Sequence, residues 1–229
     1  KTTIDGYKVI IYKHIIPYFK NIKLQQIRPT NIQSYYDYLL IRGKKKGKGG
    51  LSPTTIKAHH NVIRKALARA VLPLELINSN PALNVELPKR KKYKASIYNA
   101  EQLKILLNIA RDEPINIAIW LATGLGLRRG EVAGLRWIDV NFNNNCVYIR
   151  NTRVQTTEGI LEKGTKTEKG NRVLPIPLFL KKYLEKLYKK QMKNKLVHGK
   201  GFKYVCSWDD GSPVKLDYIS RRFRRTLEL

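Results

Sequence analysis

The stretch from Trp120 to Val140, Trp-Leu-Ala-Thr-Gly-Leu-Gly-Leu-Arg-Arg-Gly-Glu-Val-Ala-Gly-Leu-Arg-Trp-Ile-Asp-Val, constrains the fold more than any other. Within a few turns of chain it sets an apolar run, a glycine break, paired arginines and a carboxylate. Trp120, Leu121, Leu127, Val132 and Leu135 recur at spacings that suit helices packed in a core. A fold that buries these residues holds Arg128, Arg129 and Glu131 at the edge of that core, where an arginine has a task.

Up to Asp139 the chain is written in a helical period. Residues 4–20 carry Ile4, Tyr7, Ile11, Ile15 and Tyr18 on one side, and Pro17 is expected to end or kink that helix. Arg28-Pro29-Thr30 predicts a turn with Thr30 as N-cap of a helix through Tyr35, Tyr36, Leu39 and Leu40. Ser52 before Pro53 is a strong helix start, by capping and by proline at the first helical position. This helix should run to about Val71, with Ile56, Val62, Ile63, Leu67 and Ala70 on its apolar side and Lys57, His60, Arg64 and Lys65 on another face. Between the two helices, the basic glycine-rich run 42–50, with Lys44 and Lys45, has no apolar side chain to fix it. It reads equally as a solvated linker or as a contact to a phosphate backbone.

Asn80-Pro81-Ala82 closes this region, and residues 88–94 hold five basic side chains in seven positions, Lys89, Arg90 and Lys91 among them. The expected organisation is a helical domain over 1–87, a basic linker over 88–95 and a second domain over 96–229. In that domain a capped helix begins near Asn99, with Leu103, Leu106, Leu107 and Ala110 inward, and Pro114 opens the helix that leads into Trp120. After Asp139 the period changes to short β-like runs, 146–150, a return at Gly159-Ile160-Leu161, and 172–176, which predict a small antiparallel sheet. A lysine-rich helix over 179–192, a short strand over 202–207, a turn at 209–213 and an amphipathic helix over 217–229 complete the chain. The fold class is mainly α with a small β-sheet, α+β.

The 229 residues hold 45 Lys and Arg against 17 Asp and Glu, a formal net charge of +28, which calls for a polyanionic partner. Because the charge is spread along the whole length, nucleic acid ranks ahead of an anionic membrane surface. With 42% hydrophobic residues the chain can fill real cores, so disorder is excluded as the default. The early apolar run Val9-Ile10-Ile11 is broken by Tyr12-Lys13-His14, too short for a signal peptide or a spanning helix, and a cytoplasmic protein is expected. Cys146 and Cys206 form no Cys-x-x-Cys pair, and His14, His59, His60 and His198 have no metal-ligand spacing, so neither a disulfide framework nor a structural zinc is expected.

The arrangement resembles the tyrosine recombinase, or phage integrase, family. Thr123-Gly124-Leu125-Gly126-Leu127-Arg128-Arg129-Gly130-Glu131, followed by Leu135-Arg136-Trp137-Ile138-Asp139-Val140, is similar to that family's first catalytic box. Leu125-Gly126 is a two-residue departure that leaves the arginine-to-glutamate spacing intact. Gly164 to Pro175, with Lys166 before Thr167, is similar to the family's β-hairpin segment. Leu51 to Ile56 and Asn80-Pro81-Ala82 look like the helical core-binding domain of mobile-element integrases. Three ordered landmarks cover nearly the whole chain.

The resemblance implies that Arg128 is catalytic, neutralising the non-bridging oxygens of a DNA phosphodiester, with Glu131 orienting it and Arg129 a variable neighbour. It implies that Lys166 is the general acid on the leaving 5′ oxygen, and that cleavage passes through a 3′-phosphotyrosyl intermediate without metal or cofactor. It further implies a catalytic domain truncated before the His-x-x-Arg box and the nucleophilic tyrosine, with an arm-binding domain as a possible N-terminal addition. No histidine among the four has Arg three residues later, and no nucleophile is assigned, Tyr218 reading as packing. Two bodies joined by a basic linker would clamp double-stranded DNA. Lys57, His60 and Arg64 are expected at the groove and Lys44, Lys45, Lys89, Arg90 and Lys91 on phosphates. Further protomers, a tetramer in synapsis, and accessory DNA-bending or excision factors are the implied partners. Without the downstream segment, DNA binding without cleavage is expected. The alternatives are a non-catalytic DNA-binding protein on the same scaffold and, less favoured for want of an aromatic β platform, an RNA-binding protein.

Overall fold

The computed structural model describes residues 2–90, 96–164, 171–199 and 201–228. The chain divides into two compact units, Lys1–Ala95 and Ser96–Leu229. Among the described residues no helix is long and apolar enough to cross a membrane.

The first unit is helical. Helix α1 (Thr2–Ile10) runs through a π-turn, Ile11–Ile15, into α2 (Ile16–Phe19). Pro17 lacks an amide proton and its ring crowds the carbonyl four residues back, and the wide turn just ahead of it takes up that misfit. The extra width moves the helix face. Ile4 and Tyr7, expected inward, are exposed, whereas Ile15, Tyr18 and Phe19 pack against the core. Helix α3 (Pro29–Arg42) starts one residue before the expected cap. Pro29 takes the first helical position, and the Asn31 side chain accepts from Arg28 N at 2.9 Å, so Thr30 is inside the helix rather than capping it. Its buried stripe is Ile32, Tyr35, Tyr36 and Leu39, spacing i, i+3, i+4, i+7, which leaves Leu40 on the exposed side.

Helix α4 (Pro53–Val71) is the one the sequence announces: Ser52 Oγ accepts from Thr55 N at 3.3 Å, and Ile56, Val62, Ile63, Leu67 and Ala70 are all buried. The basic run between α3 and α4 is a closed turn rather than an open linker, tied at its base by Lys44 N to Gly49 O at 3.1 Å and Leu51 N to Leu39 O at 2.7 Å. Asn80 fastens the end of the unit to α4, donating to Arg64 O at 3.0 Å while accepting from Ala82 N at 3.0 Å.

Where α3 meets α4, two tyrosine–histidine pairs are buried side by side. Tyr35 Oη is 2.8 Å from His59 Nδ1, and Tyr36 Oη is 3.0 Å from His60 Nδ1. Burial, with the neighbouring His14 second, lowers the His59 pKa to about 4. An imidazole that stays neutral when folded but takes up a proton when unfolded contributes stability that is full above the unfolded pKa of about 6.5 and is lost as pH falls toward 4. Thermal unfolding of this unit is therefore expected to weaken between pH 6.5 and 4, by on the order of 3 kcal/mol from His59 alone. His59→Gln, which keeps a partner for Tyr35 but cannot titrate, should flatten the dependence. A wild-type melting temperature constant across that window would contradict it.

The second unit opens with α5 (Ala100–Ile109), where Asn99 and Gln102 cap each other, Asn99 N to Gln102 Oε1 at 3.0 Å and Gln102 N to Asn99 Oδ1 at 2.8 Å. Helix α6 (Asn116–Leu125) begins two residues beyond Pro114, and the short α7 is Arg129–Gly134. Strands β1 (Val140–Asn141), β2 (Cys146–Ile149) and β5 (Arg172–Pro175) form one antiparallel sheet in the order β1-β2-β5, with Ile149 opposite Arg172. Strands β3 (Asn151–Thr156) and β4 (Gly159–Gly164) form a separate hairpin, with Asn151 opposite Gly164. The small antiparallel β component was legible, but β3 was not, and the described residues form two sheets rather than one.

Helix α8 (Leu178–His198) outruns the expected 179–192 because nothing breaks it before Gly199, which ends it at φ +66°. The run 202–207 is not a strand. Among the described residues it forms isolated bridges, Arg136 to Tyr204 and Ser207 to Pro213, because it returns past residues 135–137 rather than along an open sheet edge. Helix α9 (Leu216–Thr226) closes the unit, held by Arg222 to Glu113 just ahead of α6. The core joins α5, α6 and α9 to the inner faces of α8 and β2, with Leu121, Leu180 and Leu184 fully buried.

Candidate functional site

Gly126 builds the site by ending α6 in the left-handed region, φ +63°, its amide donating to Ala122 O at 3.0 Å. The Leu125-Gly126 departure is thus a helix stop. Leu127 then drops into the core, and Arg128 becomes the extended N-cap residue of α7, φ −68°, ψ 151°. Its side chain is 81% exposed and points away from the packed face. Glu131, three residues on, is buried and reaches back, Oε2 accepting from Arg128 N at 2.9 Å and Oε1 from Arg128 Nη1 at 3.1 Å.

The same carboxylate has a second, larger partner. Arg172, the first residue of β5, donates from Nη1 to Oε1 at 3.0 Å and from Nη2 to Oε2 at 2.8 Å. This fork is the main reason the Glu131 carboxyl is held down to about 2. Burial pushes the other way, and the Arg128 amide and guanidinium add to the lowering. Arg172 went unread in the sequence, where it is one basic residue among many near Lys166. No local signal marked it, because its partner Glu131 lies 41 residues earlier in the chain.

The paired arginines serve different faces. Arg129 turns to α9, with Nη1 2.7 Å from Ser220 Oγ and 3.8 Å from Asp217 Oδ1, and Arg128 turns outward. Helix α7 rests on β3 through two glycines. A Cβ on Gly130 would lie 2.4 Å from Thr152 Oγ1 and 2.8 Å from Arg153 O, and one on Gly134 would lie 3.1 Å from Arg153 N. Arg153 itself is buried, its guanidinium 4.8 Å from the centre of the Tyr204 ring and its Nη1 near Ala133 O and Val214 O. Just after α7, Arg136 and Asp139 pair at 2.8 Å, with Asp139 buried.

Lys166, within 165–170, and Lys91, within 91–95, lie outside the described residues. Of the expected DNA contacts in the first unit, Lys57 and Arg64 are exposed on one face of α4, two turns apart, and Lys44, Lys45, Lys89 and Arg90 are exposed as well. His60, expected on the exposed basic face, is instead buried, its ring edge-on to Tyr36, because it faces α3 rather than solvent. Among the described residues no three His, Cys, Asp or Glu side chains come together as a metal site. What remains chemically is an exposed, permanently charged guanidinium whose base is fixed by a buried carboxylate, an arrangement suited to a phosphate or another oxyanion.

The chain is similar to several known proteins in sequence and in fold. The chain is 26% identical over 241 residues to a XerC-like tyrosine recombinase of Caldanaerobacter subterraneus subsp. tengcongensis, covering 93% of this chain and 59% of that protein. The chain thus spans less than two thirds of that relative's length. The fold is similar to that of the Tn1549 transposon integrase in complex with transposon right end DNA, with a TM-score of 0.77 at 16% identity over 99% of this chain and 73% of that one. It is also similar to a lambda integrase dimer bound to a COC′ core site, with a TM-score of 0.68 at 18% identity over 99% and 57%. Residues 1–40 match the phage integrase N-terminal SAM-like domain. Residues 97–229, more than half of the chain and the whole of the Arg128 region, match the phage integrase family, and to that family this chain belongs.

Proposed function

We propose that this chain is the DNA-handling part of a site-specific recombinase of a phage or conjugative element. In this reading a tyrosine oxygen attacks a DNA phosphodiester, the 5′ oxygen leaves with a proton, and a 3′-phosphotyrosyl bond forms and is later reversed. Arg128 neutralises the non-bridging oxygens, Glu131 orients it, and Lys166 protonates the leaving oxygen. The observation that carries the reading is the outward Arg128 guanidinium anchored at its base by Glu131 in a chain of this family. Duplex DNA follows as substrate, and further copies of the protein as partners on it, as in the lambda integrase dimer on its core site. Accessory bending or excision factors belong to the same proposal. The first unit supplies phosphate contacts through Lys44, Lys45, Lys57, Arg64, Lys89, Arg90 and Lys91. Twenty of its 95 residues are Lys or Arg against four Asp or Glu.

The test uses the whole gene product with nicked duplexes covering the junctions that flank its gene. A covalent protein–DNA adduct, resolved by denaturing gel and mapped to a tyrosine, is the expected result. Retardation of the same duplexes with no adduct on any of them would favour the non-catalytic DNA-binding reading. Residues 1–229 by themselves are expected to bind duplex DNA without cutting it. Their affinity should fall with salt at a logarithmic slope of about −0.9 per phosphate neutralised, and a strand cut by them would show the active site to be misplaced.

A further inference from the structure

Resting on the reading of Arg128 as the phosphate-binding residue, we propose that Arg172 is a positioning residue, which sets the Arg128 guanidinium through Glu131. Arg128 and Glu131 alone make a local contact three residues apart, of a kind that contributes only about 0.2 to 0.5 kcal/mol on a helix surface. An arginine that is 81% exposed leaves such a contact readily. The fork from Arg172 changes this. It occupies both carboxylate oxygens from one plane, at 3.0 and 2.8 Å, and so fixes the rotation of Glu131 about its last bond. Both oxygens are thereby presented to Arg128, one to its amide and one to Nη1. Arg172 is in turn set by strand pairing, opposite Ile149 of β2. A strand 41 residues further along the chain thus holds the base of Arg128 at one remove.

The charges that face Glu131 are few. Arg128 comes from its own turn and Arg172 from β5. On the other elements packed against α7, Arg153 of β3 turns to Tyr204 and Asp217 of α9 faces Arg129, while α6 carries no charged residue. Removing Arg172 therefore leaves the burial of Glu131 in place and takes away the largest influence opposing it. The carboxyl then titrates in or above the ordinary glutamate range, near 4.3.

Arg172→Gln and Arg172→Lys test this in two measurements. In residues 1–229, NMR should show the Arg128 amide unmoved between pH 4 and 8 in the wild type but following the Glu131 carboxyl through a titration in R172Q. In the whole gene product, R172Q should slow adduct formation by about 10- to 100-fold and gain an acid limb below about pH 6, with DNA affinity unchanged. R172K keeps the charge without the fork and should recover part of the rate; it also carries the test if R172Q does not fold. A merely structural Arg172 would lower the melting temperature and leave the shape of the pH profile alone. That result, with an unmoved Arg128 amide in both variants, overturns the proposal. A wild type that forms no adduct would instead overturn the recombinase reading, and the amide titration decides the positioning independently.

Discussion

Arg128→Ala is expected to reduce covalent adduct formation by about 100- to 1,000-fold, with the DNA still retarded in a gel. The size follows from removing one fixed donor aimed at developing charge, worth roughly 3 to 4 kcal/mol in comparable sites. The retention of binding follows from the composition, since 44 other basic residues remain. The fold should be indifferent to the change. The lost side chain is 81% exposed, and Glu131 keeps both hydrogen bonds from Arg172, so no buried carboxylate is left without a partner. Arg128→Lys keeps the charge but not the planar fork, and should restore only a small part of the rate. Unchanged trapping by R128A would remove Arg128 from the chemistry.

Gly130→Ala should damage the protein by a different route. The new Cβ would meet Thr152 Oγ1 at 2.4 Å, which a rotation relieves, and Arg153 O at 2.8 Å, which is backbone and cannot turn aside. Helix α7 is only six residues long, with Arg128 as its N-cap and Glu131 in its first turn. It cannot lift from β3 without carrying both residues with it. A loss of about 1 to 3 kcal/mol is expected from the overpacking, with adduct formation falling more than tenfold, since displacements near 1 Å at a reacting centre cost about that much or more. Calorimetric melting and the adduct assay read the two effects separately. Gly6→Ala is the control, with open space around its Cβ in α1 and no loss expected. A G130A protein that melts and reacts like the wild type would show that α7 does not depend on this close approach.

The elements that could be read from sequence were those written in local chemistry. Ser52-Pro53 marked the start of α4 and the cap near Asn99 that of α5, and in α4 all five expected apolar residues are buried. Misreadings came where one residue decides a face. Leu40 sits about 100° from the correctly placed Leu39, and His60 shares the boundary of the apolar face of α4; a period alone cannot say which side such a residue takes. Strand β3, Asn-Thr-Arg-Val-Gln-Thr, was missed because its most buried side chain is an arginine, made tolerable by the ring of Tyr204 some fifty residues away. Arg172 was hidden for the same reason. Its meaning lies in Glu131, 41 residues earlier, and no local window contains both.

The chain passes from β2 to β3 through the single residue Arg150, yet the two strands belong to different hydrogen-bonded ladders, β1-β2-β5 and β3-β4. The hairpin therefore has a ladder separate from that of the three-stranded sheet, although Arg150 alone joins them along the chain. Its inner strand is also the surface on which Gly130 and Gly134 rest. Arg172 stands in the other sheet. The Arg128 site therefore draws on both ladders, its seat under α7 from one and the fork on Glu131 from the other.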